Sequence, residues 1–202
     1  MREEILDGGL SGERARALAD ALEAEGRLLD AVEAWTLANR VQRDAAVERR
    51  LVRLRRAAFA ELDRSLPSPP WPPVAPDDAP GTPAGPLIVP AAELTPGIVR
   101  NGILRHGCVL ARGLVPPARA DRLRHTIERA FAAYDAAVAG RATSDMAPWF
   151  DPVEDVPDAE VVRTFGRAGQ GVLAADSPRA LFEFLETVHD VHLDALIAGF
   201  LG

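Results

Sequence analysis

The 202-residue sequence contains no lysine and a single cysteine, Cys108. One cysteine excludes an internal disulfide and a cysteine-rich zinc module, so nothing requires an oxidising compartment. Without lysine, the chain cannot form a phosphate-binding loop of the Walker type. The N-terminal residues lack the apolar stretch of a signal peptide, and no run approaches the roughly 20 apolar residues of a membrane span. We therefore expect a soluble, cytoplasmic protein with no membrane partner.

Arginine supplies all 23 cationic side chains against 30 acids, which gives a formal net charge of −7. An acidic protein has little general affinity for nucleic acid. The arginines between positions 49 and 56 lie on one predicted helix, where Glu48, Glu61 and Asp63 offset them. We interpret this segment as a solvated helix face and expect no nucleic-acid partner.

Proline is concentrated between Leu66 and Pro86. Each proline ring fixes φ and removes a backbone donor, so neither a helix nor a central strand can form there. This segment is predicted to be a linker. It divides the chain into a helical module at 1–65, the linker at 66–86 and a second part at 87–202.

The residues before the linker carry apolar side chains at helical spacing. Ser11 is placed to cap a first helix that Gly26 ends, and a second helix starts at Leu29. A third helix is predicted from about Asp44 to Asp63. Short connections between the three predict antiparallel neighbours packed around small residues.

Large, small, large, turn-glycine, small, aromatic and small residues stand in order at Leu18, Ala19, Leu22, Gly26, Ala31, Trp35 and Ala38. This pattern resembles a tetratricopeptide repeat, which implies a helical hairpin with the helix from Asp44 as its capping helix. Ala15 stands where the repeat has a large aromatic residue, and Arg43 where it often closes with proline. One repeat is fewer than the roughly three that make a stable binding groove. We therefore expect the module to pack on its own chain or on a second copy, with a peptide-binding groove as the alternative.

The second part is predicted to be a compact α+β unit. Leu87–Val89 opens it, Thr95 and Pro96 begin a helix that runs to about Arg105, and a short apolar run from Cys108 to Ala111 predicts a buried strand. A buried Cys108 would be an inert core thiol. A long helix follows with one apolar stripe, formed by Ala120, Leu123, Ile127, Phe131, Tyr134 and Val138.

The run LTPGIVRNGILRHGCVLARGLVPPARADRLRHTIERAF, from Leu94 to Phe131, resembles the N-terminal segment of phytanoyl-CoA dioxygenase-like proteins. Gly107 and the strand Val109–Leu114 carry the match, and the segments Ala147–Pro152 and Gly171–Glu186 are similar to a bacterial branch of that group. The resemblance implies an iron(II)- and 2-oxoglutarate-dependent oxygenase on a double-stranded β-helix. This chain would hold the outer helices and first strands of that fold.

Such oxygenases hold iron with a His-x-Asp pair and a distant histidine. The one such pair, His192 and Asp194, lies in a segment of helical periodicity, where residues two apart point away from each other. No histidine follows His192, so the resemblance leaves no iron triad. Glu186, His189 and His192 share one helical stripe but lack the matching glutamates of a di-iron site. We interpret them as surface residues.

Trp149 and Phe150 either line a substrate cavity or anchor their loop. The leading hypothesis is an oxygenase portion whose catalytic half lies beyond the given chain, with iron and 2-oxoglutarate as cofactors by resemblance alone. The alternative is a non-enzymatic scaffold that binds a protein partner, or a second copy, through residues 11–64.

Overall fold

The computed structural model describes residues 12–60, 62, 85–152 and 174–201. Helices dominate this part of the chain, and two short strands pair in parallel. The helices and strands are α1 Gly12–Ala24, α2 Leu28–Val41, α3 Ala45–Phe59, β1 Leu87–Pro90, α4 Pro96–His106, β2 Val109–Arg112, α5 Pro117–Val138, α6 Pro178–Asp190 and α7 Leu193–Leu201. A mixed class of helix and strand is confirmed, while the double-stranded β-helix stays a prediction.

The chain divides into two compact units, Met1–Arg64 with Arg124–Glu183 and Ser65–Leu123 with Phe184–Gly202. The predicted linker at 66–86 lies outside the described residues apart from Gly85 and Pro86, as does the predicted cap Ser11. None of the helices within the described ranges is long and apolar enough to cross a membrane.

The core of the first unit lies between α1, α2 and α3. Small residues let the first two helices approach closely, and Gly26 with φ +75° closes the turn between them. The buried residues are Ala15, Ala19, Leu22, Ala31, Ala34, Trp35, Ala38, Val47, Leu51, Leu54 and Phe182. The predicted hairpin and third helix are therefore present, and Phe182 joins their core from a distant part of the sequence.

Helix α3 begins at Asp44, whose carboxylate accepts the Ala46 N–H at 2.8 Å. Buried Asn39 holds the cap in place, because its Oδ1 accepts the Asp44 N–H at 2.9 Å. The Ala46 hydrogen bond, together with the Arg16 guanidinium 3.1 Å away, keeps the pKa of Asp44 below its usual value.

Replacing Asp44 with alanine is expected to lower the free energy of unfolding by about 1 kcal/mol at neutral pH. The folded pKa lies below the unfolded one, so this contribution is complete above the unfolded pKa of 3.8 and is lost as the pH falls through the folded value. Thermal unfolding of both proteins at neutral and at acid pH measures the difference. Asp44→Asn keeps an acceptor and should lose less, and a difference that is the same at both pH values would contradict this assignment.

The second unit is built around the parallel pair β1 and β2, in which Leu87 pairs with Val109 and Ile88 with Leu110. Helix α4 connects the two strands. Its predicted start is confirmed, because Thr95 Oγ1 accepts the Ile98 N–H at 3.2 Å and Pro96 occupies the first helical position.

Two glycines allow close packing in this unit. A Cβ on Gly102 of α4 would lie 2.1 Å from Val109 Cγ2 of β2, and a Cβ on Gly199 of α7 would lie 2.7 Å from Pro96 Cγ. Arg100 also reaches the end of α7, where it donates to the carbonyl of Phe200 at 2.9 Å. At each glycine, a side chain of the neighbouring element therefore packs directly against helix backbone.

The prediction of a buried second strand is wrong. Residues of β2 alternate between half-buried and exposed, Leu110 and its neighbour Ile88 are each 48% exposed, and Cys108 is exposed. Paired residues of a parallel ladder share one face. Helix α4 packs against the face that carries Leu87 and Val109, so the other face of this sheet lies open among the described residues.

The apolar stripe of α5 is only partly buried. The residues of α5 that are buried are Thr126, Ala130 and Ala133, whereas Ile127 is 50% and Val138 71% exposed. Small side chains allow the closer approach, so the packed face is rotated by one residue position from the stripe of larger side chains.

Candidate functional site

The most distinctive polar group of the described residues is the carboxylate of Glu48, whose side chain is 0% exposed. Glu48 lies in the first turn of α3, directly after buried Val47 and one turn before buried Val52. The helix therefore carries this carboxylate toward the core together with its apolar stripe. The sequence interpretation of Glu48 as a surface acid that offsets the arginine run is wrong.

Two arginines each bind one oxygen of this carboxylate. Arg43 Nη1 lies 3.2 Å from Oε1, and Arg179 Nε donates to Oε2 at 2.9 Å. Hydrogen bonds between charged groups are the strong ones, and they compensate the desolvation of a carboxylate that is removed from water. Both oxygens of the Glu48 carboxylate are therefore paired with guanidinium groups.

Each of the two arginines makes a second contact. Arg43 pairs with Glu183, and its guanidinium lies 4.3 Å from the ring centroid of Phe182. Arg179 lies 5.3 Å from the ring centroid of Trp149, which Arg129 approaches to 4.8 Å. These cation–π contacts connect the ion pairs to the aromatic side chains around them.

The loop that carries Trp149 and Phe150 is attached at several points. Phe150 meets Tyr134 of α5 edge to face, with ring centroids 5.4 Å apart. The Asp151 N–H donates to the Asp176 carbonyl at 2.8 Å. Both aromatic rings thus have packing partners within the first unit, as an anchoring role requires, and a substrate-facing role stays a prediction.

The candidate metal ligands lie near the junction of α6 and α7. The sequence predicts one continuous helix through this region, but α6 ends at Asp190 and His192 adopts φ 53°, the left-handed conformation. The His192 N–H bonds to the His189 carbonyl at 3.0 Å, which closes a turn before α7 starts at Leu193. The expectation that His192 and Asp194 share a helix is therefore wrong, because a turn separates them.

Asp194 interacts with His189, not with the residue that the His-x-Asp pattern would pair with it. His189 Nδ1 lies 3.6 Å from Asp194 Oδ2, and Asp194 Oδ1 accepts the Ala195 N–H at 2.9 Å. That backbone hydrogen bond, with a smaller effect of His189, lowers the pKa of Asp194. Glu186 lies half-buried on α6. Within the described ranges, no three His, Cys, Asp or Glu side chains are placed to hold a metal ion.

The arginine run of α3 makes ion pairs across the first unit. Arg50 pairs with Asp20 and with Glu23, each at 2.8 Å, and its guanidinium covers the buried ring of Trp35 at 4.2 Å. Arg49 lies 3.9 Å from Asp151. These arginines therefore act as intramolecular contacts of the helical module.

Sequence reasoning missed the cluster around Glu48. A local signal for the glutamate exists, since it falls within the apolar stripe of α3. Its partner Arg179 stands 131 residues away and carries no local signal. Comparisons with family models, with curated proteins and with solved structures find no match.

Proposed function

We propose that this chain is the N-terminal portion of an iron(II)- and 2-oxoglutarate-dependent oxygenase of the phytanoyl-CoA dioxygenase-like type. In this proposal, the described residues form the scaffold of the enzyme and the catalytic residues lie outside them. The order of elements supports it, because α4, β2 and α5 follow one another within the segment that carries the resemblance.

The observation that carries the proposal is the open face of the two-stranded sheet. Ile88 and Leu110 lie side by side in register, and each is 48% exposed. Parallel strands are ordinarily covered on both faces, and a sheet of two strands is marginal by itself. This apolar face therefore suits further β-structure or helices of a larger domain.

Iron and 2-oxoglutarate are implied by the resemblance, and the described residues do not fit an iron site. All four histidines of the chain are described, and the two nearest to each other, His189 and His192, lie with Asp194 around an exposed turn. We therefore derive no step of the oxygenase reaction through these residues.

The 202-residue chain is expected to bind iron(II) weakly and to release no succinate from 2-oxoglutarate, because its described residues place no three ligands together. Anaerobic calorimetry measures the binding, with His192→Ala as the matched variant. A stoichiometric micromolar site that this substitution abolishes would contradict the prediction.

Succinate release tests the family assignment itself. We expect turnover, in the presence of iron and ascorbate, by an extended chain that also carries the proposed catalytic half. Turnover by the 202-residue chain would refute the scaffold role of the described residues. An extended chain that carries a complete set of iron ligands and remains inactive would refute the oxygenase proposal.

A second candidate is a scaffold that binds a protein partner or another copy through the helical module. Large apolar side chains exposed on α2 and α3 favour it, namely those of Leu29, Val41 and Phe59. In this candidate the extended chain would show no turnover. The surface that Phe182 covers is filled by the chain itself, so a partner would bind elsewhere on the module.

A further inference from the structure

Glu48 connects parts of the first unit that are distant in sequence. Its carboxylate binds Arg43, which precedes α3, and Arg179, which lies in the first turn of α6. Three residues after Arg179, Phe182 is 2% exposed within the core of α1–α3. The first turns of α6 are therefore seated on the helical module by one aromatic side chain and by the ion pair of half-buried Arg179 with the buried Glu48 carboxylate.

We call this position of the first turns of α6 on helices α1–α3 the seating of α6. Apolar burial by itself does not define it. Leu181 and Leu185 flank Phe182 on α6 and are half-buried, so a rotated or shifted helix would also place apolar side chains against the module. The ion pair does distinguish these arrangements. A shift of one turn brings Glu183 to the position of Arg179, and two carboxylates would then face each other.

Burial of the pair contributes little net stability. The desolvation of a carboxylate costs several kcal/mol, which its partners roughly offset, and apolar residues of similar volume often serve as well. In a shifted seating the buried Glu48 carboxylate would lose Arg179 as a partner, which is costly, whereas an apolar pair would tolerate the shift. The pair is therefore better suited to select a seating than to add stability.

We propose that Glu48 and Arg179 form a charged lock, which selects one seating of the first turns of α6 on helices α1–α3, while Phe182 supplies the apolar burial. This inference does not depend on the oxygenase proposal. Arg43 and Glu183 form a second ion pair between the module and α6, and the substitutions below leave both residues in place.

The test replaces the lock with apolar residues, Glu48→Leu together with Arg179→Met. Spin labels on Ala57→Cys and Ala175→Cys, two exposed sites of the first unit, report the seating in a Cys108→Ser background. We expect one narrow distance distribution with the lock intact. Without it, the thermal midpoint of unfolding should stay within a few degrees of the value with the lock intact. A second distance should then account for at least about a tenth of the molecules.

An exposed ion pair of the same module provides the control. Arg27→Gln with Asp30→Asn removes an ion pair between two residues of the helical module, and it should leave one distance. One narrow distribution in the Leu and Met variant would overturn the proposal, as would equal broadening in the control.

If the Leu and Met variant fails to fold, Arg179→Lys and Arg179→Gln replace it. Lysine keeps the charge and should preserve one distance, whereas glutamine should produce two. The same distribution in both would show that the charge does not select the seating.

Discussion

Replacing Phe182 with alanine is expected to lower the free energy of unfolding by about 3–5 kcal/mol. The ring is 2% exposed and packs in the core formed by α1, α2 and α3. Its removal takes away the apolar burial and leaves a cavity that the surrounding helices fill incompletely. Denaturant unfolding followed by circular dichroism measures the change as a shift of the midpoint at unchanged slope.

Phe184 provides the matched control, because it lies on the same helix and is 53% exposed. Phe184→Ala is expected to change the free energy of unfolding by less than about 1 kcal/mol. Similar losses for the two substitutions would show that Phe182 does not hold α6 on the helical module.

The second large effect concerns Gly102, where alanine is expected to destabilise the protein by about 1–3 kcal/mol. Alanine normally stabilises a helix relative to glycine by up to about 1 kcal/mol. At this position, however, the added Cβ would lie 2.1 Å from Val109 Cγ2 and 3.3 Å from the Cys108 carbonyl oxygen. The helix would have to move away from β2, so the steric cost exceeds the gain in propensity.

Gly97 lies on the same helix and should respond with the opposite sign. A Cβ there would meet its nearest atom, Thr95 Oγ1, at 3.9 Å, which is an ordinary contact. Gly97→Ala is therefore expected to stabilise by a few tenths of a kcal/mol, because the residue is near the helix end. Thermal unfolding of both variants measures the two signs. Stabilisation by Gly102→Ala would mean that α4 and β2 are not in close contact.

The starts and turns of the helices were predictable because they depend on neighbouring residues. Thr95 and Asp44 accept backbone N–H groups three and two positions ahead, and Gly26 adopts its positive φ within a turn of a few residues. Such bonds form between groups that the sequence already places together.

The break between α6 and α7 was not predictable from spacing. Apolar residues continue at helical period through the junction, which favours one helix. His192 nevertheless adopts φ 53°, and the Leu196 N–H bonds to the His192 carbonyl to begin a new helix. A histidine carries no turn signal comparable to that of glycine, so periodicity alone leads to the wrong prediction.

By itself the sequence determined the helical character of the N-terminal module, the helix between the two strands and the residues that begin it. The tertiary structure decided which carboxylate is buried, which face of α5 packs and whether β2 is covered. Glu48 meets an arginine 131 residues away, and the packed face of α5 follows Thr126 and Ala130 because small side chains allow closer contact. Helix caps and apolar periodicity depend on residues a few positions apart in the sequence. Burial depends on partners that only the folded chain brings together.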